Sequence, residues 1–158
     1  MRKIWIAFLM MAPCLFAQGG ETNCQEVGGG ILTNFLSTPA VGASTLGTAT
    51  GDLRGGLGVI ILSIKSGQNG STVFHVQHHW VTEAGDTISL QEADVTTFPT
   101  PISGLFAASY IDGITVLGGT GRFVGATGKI KVFGAVDLKQ NQLTLRYQGT
   151  VCFVQPEQ

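Results

Sequence analysis

From Ile31 onward, short apolar and β-branched runs alternate with polar and glycine-rich clusters, and no stretch after Cys24 keeps the 3.6-residue period of an amphipathic helix. The pattern predicts eight strands, at residues 31–37, 44–53, 57–66, 72–82, 86–97, 105–117, 127–138 and 142–153. Turn signals separate them: Gly67-Gln68-Asn69-Gly70, Ala84-Gly85, the loop from Pro99 to Gly104, the segment from Gly118 to Gly128, and Gln140-Asn141. A two-residue loop at Gln140-Asn141 would pair Lys139 with Gln142. Leu138 would then face Leu143, Val136 face Leu145, Gly134 face Tyr147, and Ile130 face Val151. That makes one apolar face, while Lys129, Lys131, Asp137, Thr144, Arg146 and Gln148 fall on the other, as expected of a sheet with one side on a core and one in water. The architecture that fits is all-β, an eight-stranded antiparallel barrel, with a two-sheet sandwich as the alternative.

Composition narrows the class. The 158 residues suit one domain, 44% of them are hydrophobic, and the charged fraction of 12% excludes a disordered acidic or basic tail protein. A formal net charge of −1 gives no bulk attraction for nucleic acid phosphates or an anionic membrane. The 23 glycines lack a Gly-X-Y period, so they indicate tight turns and closely packed strands.

Arg2 and Lys3, the apolar run Ile4 to Met11 and the small or apolar residues leading to Ala17 have the layout of a secretory signal peptide, with cleavage expected after Ala17. The apolar stretch is shorter than the roughly 20 residues a membrane-spanning helix needs, so the mature chain is expected to have no membrane span. The expected organisation is a signal peptide at 1–17 and a single domain at 18–158, in which 18–43 carries the first strand and 44–158 the barrel. The location is then secreted or periplasmic. Cleavage discards Cys14, and the pair that remains, Cys24 and Cys152, is most simply a disulfide in an oxidising compartment. Asn69-Gly70-Ser71 is also an N-glycosylation sequon, with meaning only in a eukaryotic host.

The run Ile114-Thr115-Val116-Leu117-Gly118-Gly119-Thr120-Gly121-Arg122-Phe123-Val124-Gly125-Ala126-Thr127-Gly128 resembles the signature of the allene oxide cyclase-like and dirigent-like barrel proteins. Secreted bacterial proteins with this signature also tend to end in a strand like Gly149-Thr150-Val151-Cys152. The resemblance covers Ser44 to Phe153 and implies an eight-stranded antiparallel barrel with an apolar cavity, often trimeric in the plant members. Those members cyclise an allene oxide fatty acid or steer the coupling of phenoxy radicals. Their catalytic carboxylates and arginines lie outside the glycine motif and match no positions here, so no catalytic role carries over. The same segment is not a phosphate loop. Phe123 stands where a Walker motif needs its first glycine, and Ile130 rather than Ser or Thr follows Lys129. The glycines serve turns and close packing, and Arg122 is expected to face solvent or bond a carbonyl.

One constellation could carry chemistry. All three histidines, His75, His78 and His79, lie in the fourth predicted strand, with Glu92 and Asp94 in the next. A turn at Ala84-Gly85 pairs Glu83 with Asp86, which sets His75 opposite Asp94, Gln77 opposite Glu92 and His79 opposite Leu90, with Ile60, Leu62 and Ile64 on the same surface. His75, His79, Glu92 and Asp94 would thus share a face, and an imidazole held by a carboxylate is what a general base needs. The opposite face carries Phe74, Val76, His78 and Trp80, a candidate ligand-binding wall. Over the third to fifth predicted strands the two faces hold seven apolar residues each, so periodicity leaves the lumen side open. The cost of burying two carboxylates favours turning the His75 face to water. No metal or cofactor is expected, because His75 and His79 sit about 13 Å apart at roughly 3.3 Å per residue.

The expected function is a barrel binding a small apolar ligand. The alternatives are a cyclase or isomerase that uses the His75, His79, Glu92 and Asp94 set on a hydrophobic substrate, and a non-catalytic barrel acting through subunit contacts. A homo-oligomer is expected from an apolar outer face over strands three to five, the trimer being implied by the resemblance alone.

Overall fold

The computed structural model describes residues 22–38 and 42–155, so the expected signal segment and its cleavage site after Ala17 lie outside the described residues. Ten strand segments follow in chain order: β1 Thr22–Thr38, β2 Gly42–Ala49, β3 Gly55–Ser66, β4 Thr72–Thr82, β5 Thr87–Leu90, β6 Ala93–Pro99, β7 Leu105–Ser109, β8 Ile114–Gly119, β9 Thr127–Asp137 and β10 Gln142–Val154. β5 and β6 are two halves of one stave, both pairing with β4, and β7 and β8 are two halves of the next, both pairing with β9. Each stave pairs antiparallel with its sequence neighbour, and β10 returns to β1, so the result is a closed eight-stranded antiparallel barrel. The sandwich alternative is set aside, because closure leaves no sheet edge.

Cys24 and Cys152 are directly opposed in the β1–β10 ladder, with Cα atoms 3.8 Å apart, and form the expected disulfide. The bond therefore staples the seam where the last stave meets the first.

Several strand limits and registers differ from the sequence-based expectation. The first strand begins at Thr22 rather than near Ile31, and the second ends at Ala49, with a short 3-10 turn over Gly51–Leu53 after it. The final hairpin pairs Asp137 with Gln142, so Leu143 faces Val136, Leu145 faces Gly134 and Tyr147 faces Val132. The loop has four residues instead of two, because the Asp137 carboxylate accepts hydrogen bonds from the Lys139 and Gln140 amides and Asn141 takes a left-handed φ of 55°. A two-residue slip keeps each side chain on its expected face while changing all the partners.

The β4–β5 turn differs by one residue. Gly85, at φ 86°, lets Thr82 pair back to Asp86 around a three-residue loop, so Trp80 faces Ile88 and Val81 faces Thr87. That puts Ile88 on the Trp80 side, not with His75. The irregular stretch Gln91-Glu92 then shifts the register back, and His75 does face Asp94. Neither Gln77–Glu92 nor His79–Leu90 forms a ladder pair. On the other side, a bulge at Leu62 sets Ser63 opposite His75 and Ile64 opposite Phe74, so Ile64 leaves the expected register while Ile60, opposite Gln77, keeps the His75 face.

One end of the barrel is solid. The Tyr147 hydroxyl donates to the Thr50 carbonyl and accepts from the Leu53 amide, both at 2.8 Å, and the Trp80 indole donates to the Leu53 carbonyl at 2.8 Å. Trp80 and Tyr147 meet edge to face, 5.3 Å between ring centres. The glycine-rich segment closes the same end by inserting Phe123, which is fully buried, against Phe153. Gly121 makes this possible, because its φ is 54° and a Cβ there would overlap the Asp86 carboxylate. Arg122 bonds a carbonyl, that of Asp52 at 3.1 Å, and lies over the Phe123 ring.

Candidate functional site

Above the solid end the barrel keeps a cavity of about 280 Å³. Phe74, Val76, His78 and Trp80 of β4 all line it, with Leu57, Val59 and Ile61 from β3, Ala108 from β7, and Val132 and Val136 from β9. It extends toward the β9–β10 connection, where its lining residue Leu138 is exposed. Among the described residues its lining includes no Asp, Glu, Lys or Arg; the polar members are four threonines, His78, Trp80 and Tyr110. Alternation along β4 dictates this: residues 74, 76, 78 and 80 point inward, so 75, 77 and 79 point out.

His78 is 8% exposed and its Nε2 lies 2.9 Å from the Tyr110 hydroxyl. The candidate residues above do not include Tyr110, which follows β7 and opens the turn to Gly113, its amide donating to the Val132 carbonyl. The pattern placed it inside the predicted strand 105–117; its one signal was the Asp112-Gly113 pair just after it, where that strand breaks into β7 and β8. Burial pushes the His78 imidazole down to about 4, with nearby His79 adding to the effect, so it is neutral at pH 7. Burial also pushes the Tyr110 hydroxyl up, so it keeps its proton.

The depressed His78 value has a consequence for stability. As pH falls below the ordinary histidine value of 6.5, the unfolded chain takes up a proton that the folded chain refuses, and stability is lost until the pH reaches the folded value near 4. The loss expected over that window is about 3 kcal/mol. Urea unfolding of wild type and His78→Phe at pH 7, 5.5 and 4.5 measures it. An acid slope equally steep in the variant would show that His78 is not its source.

The other expected set lies on the outer wall. His75 Nδ1 is 2.7 Å from an Asp94 carboxylate oxygen and Nε2 is 3.1 Å from one of Glu92. The three side chains are 35%, 49% and 50% exposed. Hydrogen bonding to the Asp94 and Glu92 carboxylates raises the His75 value, so these contacts favour the protonated ring. Any stability this brings is present at low pH and fades as pH rises through the raised value, and solvent and salt screen it. His79 is exposed on the same wall, opposite Gly58, and has no hydrogen bond to the trio. The structure thus brings together His75, Glu92 and Asp94, leaves His79 apart, and separates all four from the cavity by the thickness of the sheet. Among the described residues, no three His, Cys, Asp or Glu side chains are grouped to hold a metal ion.

With the Phe74–Trp80 face turned inward, the outer wall over strands three to five is formed by the opposite face of β4 and its neighbours. Its exposed apolar residues include Leu62 and Ile64 on β3 and Val81 on β4, with Leu32 and Leu46 on β1 and β2.

Fold and cavity together define a small eight-stranded β-barrel with an apolar lumen. Comparison with protein-family models and with curated proteins found no match. Among solved structures, that of a pterocarpan synthase dirigent protein is similar over 89% of this chain and 91% of its own, with a TM-score of 0.39 and 11% identity. The barrel described above rests on its own strand pairing, not on that likeness.

Proposed function

We propose that the barrel binds a small apolar molecule in its lumen and acts after export, in an oxidising compartment outside the cytoplasm. The observation that carries the reading is the cavity itself. Its volume of about 280 Å³ lies just under the roughly 300–1,000 Å³ common for small-molecule sites, and its walls are apolar with a few polar groups, the usual make-up of such sites. Those walls come from strands hydrogen-bonded all around, so the site is largely pre-formed. The Cys24–Cys152 bond and the Arg2-Lys3 apolar leader support export.

Filling the lumen tests it. Ala108 is buried, lines the cavity and is small, so Ala108→Phe occupies space a ligand would use. Titrating the folded protein with the apolar fluorophore N-phenyl-1-naphthylamine should give saturable binding in wild type and at least tenfold weaker binding in the variant. Equal binding by both proteins, or none by wild type, would remove the lumen as a binding site.

A further inference from the structure

Deepening the reading above, and resting on it, we propose that the lumen selects an uncharged apolar ligand bearing one hydrogen-bond acceptor, a carbonyl or ether oxygen, which docks on the His78–Tyr110 pair.

The inference begins with a count of protons. A neutral imidazole has one N–H and a phenol has one O–H. The contact between His78 Nε2 and the Tyr110 hydroxyl uses one of these two protons, whichever group donates. One donor is left over. His78 Nδ1 is buried and has no hydrogen-bond partner among the described residues. If the imidazole proton sat there, an N–H would be buried without an acceptor, the arrangement proteins avoid most. Placing it on Nε2 lets the ring donate to the Tyr110 oxygen, leaves only a lone pair at Nδ1, and frees the Tyr110 O–H to donate. No other hydrogen bond to that hydroxyl is formed among the described residues. Both side chains line the cavity, so the free donor belongs to a mostly apolar chamber. An acceptor oxygen on a ligand satisfies it there.

Charge sets the second half of the specificity. Among the described residues, no side chain that is charged at neutral pH lines the cavity. Burial holds His78 neutral and Tyr110 protonated. A carboxylate or an ammonium entering the lumen would lose its hydration and meet no counter-charge. A ketone, aldehyde, ester or ether gives up far less water and finds a donor. A plain hydrocarbon fits the walls but leaves the donor unpaired.

Three probes of nearly the same shape separate these cases: 2-acetylnaphthalene, which is neutral with an acceptor; 2-isopropenylnaphthalene, which has none; and 2-naphthoate, which is charged. Calorimetric titration of the wild-type protein at pH 7 should show the ketone binding at least fivefold tighter than the alkene and at least tenfold tighter than the carboxylate. In the double variant His78→Phe, Tyr110→Phe, which removes both polar groups and keeps two rings, the alkene should bind as well as or better than the ketone. Ala108→Phe should weaken all three, which locates the binding. If alkene and ketone bind wild type equally, or the carboxylate matches the ketone, the selectivity is refuted while the lumen reading stands. If the ketone keeps its advantage in the double variant, the His78–Tyr110 assignment is refuted. If none of the three binds, both readings fall. The wild-type comparison decides the selectivity even if the double variant does not fold.

Discussion

Replacing Cys24 and Cys152 together by serine should lower the unfolding free energy by about 5 kcal/mol, the loop-entropy estimate for a cross-link whose ends are 128 residues apart. At this chain length that corresponds to a fall of about 10–20 °C in Tm. The bond sits on the ladder between the first and last staves, which are the most distant pair in sequence and so the costliest to bring together. Urea unfolding of oxidised wild type and the double variant, with the slope checked for a change in the unfolded ensemble, gives the number. A difference below about 1 kcal/mol would mean that the β1–β10 hydrogen bonds alone hold the seam and that the cross-link is incidental to closure.

Truncating Phe123 to alanine should cost about 3–5 kcal/mol, the range for removing a large buried aromatic side chain. The ring is fully buried, packs 5.5 Å from Phe153 and plugs the solid end of the barrel beneath the Arg122 guanidinium. Arg122→Ala is the comparison: it removes a cation over the ring and an exposed hydrogen bond to Asp52, and should cost about 1 kcal/mol or less. Equal costs at the two positions would show that the segment closes the end through its surface contacts rather than by inserting a ring.

The glycine-rich segment illustrates what a sequence can and cannot convey. Its glycines promised tight turns, and Gly121 and Gly125 do adopt positive φ, at 54° and 69°. That Phe123 would be the plug depended on where the segment stands relative to β10, which no local pattern records. The two hairpin errors differ for a related reason. At Leu138–Asn141 an even slip left the faces intact, so the apolar and polar sides of β9 and β10 were legible although every partner was wrong. At Glu83–Gly85 an odd slip moved Ile88 and Leu90 to the other face, and only the irregularity at Gln91-Glu92 restored the His75–Asp94 pairing. Bulges leave little trace in composition: the one at Leu62 interrupts an apolar run, and the break at Gln91-Glu92 falls on a polar pair.

The amino-acid sequence by itself determined the strand content, the antiparallel meander, the Cys24–Cys152 pair and the composition of the two faces of β4, because these follow from local period, turn chemistry and residue type. Which face of β4 became the lumen was decided only by the closed barrel. Counted over the third to fifth predicted strands, the two faces hold seven apolar residues each, so burial gave neither a clear advantage. The choice was made on other staves, above all β9 and β10, where Lys129, Lys131 and Arg146 must face water while Ile130, Val132 and Tyr147 are buried. Hydrogen-bonded ladders carry that sidedness around the sheet, through the bulge at Leu62 and the break at Gln91-Glu92, until β4 has no freedom left. Inside and outside are properties of the whole closed sheet, and so His78 meets Tyr110 in the lumen while His75 meets its carboxylates in solvent.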